Sequence, residues 1–63
     1  MADLTVINHG SVFLLMGTSL PGKQWIVENI PEDAQRWGRS IVVEHRYIAA
    51  IVEGAMKDGL EVE

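Results

Sequence analysis

Residues 41–63 read IVVEHRYIAAIVEGAMKDGLEVE, a stretch in which the hydrophobic period changes twice. In its middle, Ile48, Ile51, Val52, Ala55 and Met56 fall at i, i+3, i+4, i+7 and i+8, one stripe of an α-helix whose other side carries Arg46, Glu53 and Lys57. The spacing predicts a helix from His45 to Asp58. Glu53 and Lys57 form an i to i+4 pair, Lys57 sits in the last turn where a cation suits the dipole, and Gly59 is placed to end the helix in the left-handed conformation. Before it, Ile41, Val42 and Val43 with Glu44 suit a buried strand. After it, Leu60-Glu61-Val62-Glu63 alternates apolar and acidic, the pattern of an edge strand with one wet face.

Working outward, Leu4 to Ile7 and Ser11 to Met16 read as a β-hairpin about Asn8-His9-Gly10, where Gly10 can take positive φ. Val12 to Met16 run without alternation, so both faces of the sheet carry apolar side chains. The second face needs a cover, and in so short a chain another subunit or a partner protein is a candidate, making a homodimer one expectation. A helix follows over Leu20 to Asn29, with Thr18 or Ser19 as cap and Pro21 in the first turn, burying Trp25, Ile26 and Ile30 and stopping before Pro31. Residues 31–38 read as a connection in which Trp37 packs as a lid. The expected order is β-β-α-β-α-β. It describes an α+β fold, a small two-layer sandwich with a four-stranded mixed sheet and two helices, as one domain over residues 1–63. If the third and fourth strands are parallel neighbours, the crossover through the long helix is right-handed.

With 63 residues, 48% of them hydrophobic and 22% charged, the composition is that of a folded chain, too small for the usual two-domain enzyme. A domain of this size buries only about 60% of its unfolded surface. There is no Cys to add a disulfide or a thiolate zinc site, which fits a reducing compartment. No charged leader and no long apolar run are visible, so the expected address is cytoplasmic.

Nine acids against five bases give a net charge of -4. That argues against direct nucleic-acid binding, which needs a basic stripe to displace counterions from phosphates. Residues 53–63 hold Glu53, Asp58, Glu61 and Glu63 against Lys57 alone, so the C-terminal end is an acidic pole. Glu28, Glu32 and Asp33 offer a second acidic patch. Arg36, Arg39 and Arg46 are the clustered cations; they read either as a phosphate or carboxylate site or as a solvated face with its own ion pairs. Trp25 belongs to a helix stripe and reads as core, whereas Trp37, between two arginines, is the better exposed anchor.

The stock for catalysis is thin. His9 lies in a turn and His45 at a helix start, with no second ligand at the i+4 spacing of a helical zinc pair, so turn and capping roles are expected and no metal. Glu44-His45-Arg46-Tyr47 stands where a strand meets a helix N-terminus, a common ligand position. It is explained as well by a carboxylate at the positive helix end, an ion pair and a rim-sealing tyrosine. The six glycines are dispersed, with no GxGxxG, P-loop or GxSxG pattern, so no cofactor and no enzymatic activity are expected.

Ile7-Asn8-His9-Gly10-Ser11, Ile30-Pro31-Glu32-Asp33-Ala34, Arg36-Trp37-Gly38, and Val42 to Ile48 through Asp58-Gly59-Leu60 together resemble a group of short hypothetical proteins of bacterial phages and other mobile elements. The resemblance spans nearly the whole chain. It implies a small acidic protein of the host cell cytoplasm that binds a host protein, as anti-CRISPR inhibitors do when they present carboxylates where DNA phosphates would sit. On that reading the partner is a host complex with a basic surface, such as a CRISPR effector. The partner-binding residues are then Glu28, Glu32, Asp33, Trp37, Glu53, Asp58, Glu61 and Glu63. The three arginines have no place in that scheme, and a homo-oligomeric structural or regulatory protein is the alternative.

Overall fold

A computed structural model describes residues 2–63. Strands β1 (Leu4–His9) and β2 (Val12–Gly17) form the first hairpin, followed by helix α1 (Leu20–Asn29). Then come strands β3 (Arg36–Trp37) and β4 (Ser40–Glu44) and helix α2 (His45–Lys57). The sheet order is β1-β2-β4-β3, with every neighbouring pair antiparallel. The α+β class is as expected, but the element order is β-β-α-β-β-α.

Two local events account for the difference. In the stretch read as a connection, Arg36 and Trp37 pair with Ile41 and Ser40 across a two-residue turn, Gly38-Arg39. Gly38 has φ 63 while no non-glycine residue among those described has positive φ, which is the pattern of a type II′ hairpin turn with glycine first. A two-residue exposed strand carries no period for a sequence pattern to register. At the other end, Leu60–Glu63 does not become a full strand of a mixed sheet. It reduces to one parallel bridge, Leu4↔Val62, with hydrogen bonds from Asp3 N and Leu4 N to Glu61 O, from Val6 N to Glu63 O and from Glu63 N to Leu4 O. The tail therefore covers the β1 edge, and the right-handed crossover that depended on two parallel neighbours does not arise.

Alternation sorts the sheet into two unlike faces. Leu15 pairs with Ile41 and Phe13 with Val43, and this face packs with Leu4 against Trp25 and Ile26 of α1 and Ile48 and Ala55 of α2. Ile7, Leu14 and Val42 share the other face. Leu14 is only 8% exposed there although it points away from both helices. The rings of His9 and Trp37, from the two opposite edge strands, lie 4.7 Å apart between centroids. These two side chains therefore meet across β2 and β4 on the helix-free face.

The helix ends follow their caps. Ser19 is the N-cap of α1, its Oγ accepting from Gly22 N at 3.0 Å, and the chain leaves the helix at Ile30, φ -104 and ψ 132, ahead of Pro31. At the end of α2, Gly59 N bonds to Met56 O and Leu60 N to Ala55 O with Gly59 at φ 88, a Schellman closure that aims the tail back at β1. Met56, expected on the buried stripe, is exposed at its margin. No helix among the described residues is long and apolar enough to cross a membrane.

Candidate functional site

Four of the nine acidic residues, Asp3, Glu28, Asp58 and Glu61, lie along the seam of α1, the end of α2 and the tail. Asp3 is the joint: its Oδ1 accepts from the Ser19 hydroxyl at 2.7 Å and its Oδ2 from Glu61 N at 2.9 Å. One carboxylate thus links the α1 cap, the start of β1 and the tail. Those two donors, the Glu61 amide first and the Ser19 hydroxyl second, hold the Asp3 carboxyl below the ordinary aspartate range.

A group with a depressed folded pKa adds stability that is complete above the unfolded value, about 3.9, and that is lost as pH falls through the folded value. Acidification from about pH 5 to about pH 2 is therefore expected to lower the urea midpoint of the native chain more steeply than that of Asp3→Asn. Equal slopes would show that the ionised form is not specifically held.

Trp25 Nε1 donates to Asp58 Oδ2 at 2.7 Å. Trp25, Glu28, Asn29, Asp58 and Leu60 line one shallow groove, so Glu28 and Asp58, thirty positions apart, face the same space. Glu61 follows Leu60 beside Asp3. The structure thus groups the carboxylates by the helix ends and not by sequence neighbourhood: Glu28 lies with Asp58, while Glu32 and Asp33 sit in the connection after α1. Glu53 is exposed on α2 and Glu63 runs on along β1. Trp37, 57% exposed, lies on the helix-free sheet face with His9 and so apart from the acidic group. Asp3 carries no signal in the sequence, because its contacts with residues 19 and 61 are long-range and leave no local spacing.

The three arginines do not stay together. Arg46 Nε lies 3.1 Å from Glu44 Oε2, the one ion pair among the described residues, and its guanidinium carbon stands 5.0 Å over the Tyr47 ring. This accounts for most of the Glu44 to Tyr47 tetrad as a local surface cluster. His45 Nε2 lies 2.9 Å from the Gly10 carbonyl oxygen, and its ring packs on Phe13. Among the described residues no group of three His, Asp or Glu is placed to hold a metal. Arg36 and Arg39 lie elsewhere, with Lys23.

No family model matches this chain, and no curated protein and no solved structure matches it.

Proposed function

We propose that the chain is a non-catalytic binding protein that inhibits a host nucleic-acid-binding complex. Its acidic end would enter a basic groove where DNA phosphates would otherwise lie. The observation that carries this reading is the pairing of Glu28 with Asp58 in one groove and of Asp3 with Glu61 beside it along the tail, with no cation among the described residues within ion-pair distance. Carboxylates whose charge no neighbouring cation neutralises keep their field for an external partner, which steers encounter and makes affinity dependent on salt. The resemblance to short proteins of mobile elements points to a CRISPR effector as the complex to test first.

Glu28→Lys with Glu61→Lys is the informative variant, because neither side chain makes a hydrogen bond or ion pair among the described residues. In capture from a bacterial lysate at low salt, this pair is expected to bind at least about tenfold more weakly, the equivalent of roughly 1.4 kcal/mol. Reversing Glu32 and Asp33 should matter less. If both doubly reversed chains capture the same partner as the native chain does, in low and in high salt, docking is not electrostatic.

The helix-free sheet face supports a second reading, a homo-oligomer. Ile7 and Trp37 expose 45% and 57% of their surface beside buried Leu14, and a second copy could cover them. Light scattering separates the two readings: a stable dimer that Trp37→Ser disperses favours the oligomer, and a monomer favours the inhibitor.

A further inference from the structure

We infer that a cleft between α1 and the β3–β4 hairpin binds a small organic anion carrying a phosphate group on an apolar body. The site is separate from the acidic end and does not depend on the proposed inhibition. Its volume, about 730 Å³, is the size of a small-molecule pocket. Lys23, Arg36 and Arg39 line it, and among the described residues no acidic one does and no carboxylate lies within ion-pair distance of the three cations. Three unopposed positive charges around one space in a chain of net charge -4 call for a ligand that brings its own anion.

Backbone geometry sets these cations in place. Arg36 pairs with Ile41, and Ile41 belongs to the core on the helix side, so Arg36 shares the face that α1 covers. Arg39 follows Gly38 in the tight turn. Lys23 is seated against the end of β2: a Cβ at Gly17 would stand 2.9 Å from the Lys23 Cα and N. The glycine is what lets the first turns of α1 approach so closely.

Apart from Thr18 and Gly17, the rest of the lining is apolar. Ile41 and Ile26 are buried at 2% and 7% exposure, whereas Val27 on the wall is 78% exposed. A cation ring with an exposed apolar wall matches a ligand with one charged end and one greasy body. Two guanidinium forks and an ammonium suit a phosphate dianion better than a single carboxylate. A nucleic-acid strand fits poorly, because the acidic end would repel the continuing phosphates.

The test is an amide-resolved NMR titration of the whole chain with naphthyl phosphate, with inorganic phosphate and naphthol as the charge-only and ring-only arms. Naphthyl phosphate is expected to bind at least tenfold more tightly than either, with shifts concentrated at Gly17, Lys23, Val27 and Arg39. Arg36→Ala with Arg39→Ala is expected to weaken it at least tenfold while the spectrum stays folded; Lys23→Ala, on a different element, gives a second reading of the same loss. The inference is overturned if naphthol binds as well as naphthyl phosphate. It is also overturned if neither variant weakens binding, or if the shifts centre on Arg46.

Discussion

Gly22→Ala is expected to leave most of the chain unfolded near room temperature, although it replaces a poor helix former with the best one inside α1. On propensity alone the change would favour the helix by about 1 kcal/mol. The fold reverses the sign, because a Cβ at Gly22 would collide with the backbone carbonyl of Asp3 and come within 3.3 Å of Ser19 Oγ. That carbonyl cannot swing aside as a side chain would: it accepts from Thr18 N at 2.9 Å, and the Asp3 carboxylate is tied to Ser19 and to Glu61 N. Relief means shifting α1 or the start of β1 and giving up some of these bonds. Overpacking costs about 1–3 kcal/mol or more, and each lost hydrogen bond adds about 1 kcal/mol. At about 0.05–0.15 kcal/mol per residue, a chain this short has little stability to lose. Gly54→Ala in α2 is the control. A Cβ there meets only Trp25 Cζ2 at 3.8 Å, an ordinary contact, so it is expected to stabilise by about 0.5–1 kcal/mol. Thermal melts of the two variants should move in opposite directions, and a Gly22→Ala melt at or above the native one would refute the packing.

That contrast marks what the sequence can and cannot express. Helix α2 is legible because its signal is local: a stripe from Ile48 to Ala55, and a glycine at 59 that the Schellman bonds require. The first hairpin and the stop of α1 before Pro31 are legible for the same reason. Gly22 and Gly54 look alike in sequence, each a glycine within a helical segment, yet one is fixed by the Asp3 carbonyl and the other is nearly free. The determinant is a residue nineteen positions away. The candidate surface follows the same rule. Grouping acids by proximity along the chain joins Glu28 to Glu32 and Asp33, whereas packing of α1 against the end of α2 joins Glu28 to Asp58. Grouping the arginines by proximity hides Lys23, which only the approach of α1 to β2 brings beside Arg36 and Arg39. The unalternating run Val12 to Met16 did announce a sheet with two apolar faces, and Leu14 sits on the one that no helix covers.

The second large effect is expected at Trp25, where packing and a polar contact can be separated. The indole is 9% exposed and belongs to the cluster that includes Ile48 and Ala55, while its N–H reaches Asp58 at the α2 C-cap. Trp25→Ala removes most of the material between the helices and is expected to cost about 3–5 kcal/mol, enough to unfold the chain in mild urea. Trp25→Phe keeps a ring in place and removes only the donor and part of the area. Asp58 is exposed and regains water when the bond is lost, so this variant is expected to cost about 1–2 kcal/mol and to stay folded. Far-UV circular dichroism in urea checks the order. A double-mutant cycle of Trp25→Phe with Asp58→Ala should return a coupling of about 0.5–1.5 kcal/mol, and additive losses would mean the contact contributes nothing. Trp25→Phe also leaves every charge in the molecule unchanged while releasing the Asp58 carboxylate from its fixed position beside Glu28. If docking depends on where the carboxylates stand, capture by a basic partner should weaken in this variant at constant net charge. Unchanged capture by the folded variant would mean that the acidic end acts through its total charge, with no requirement for that placement.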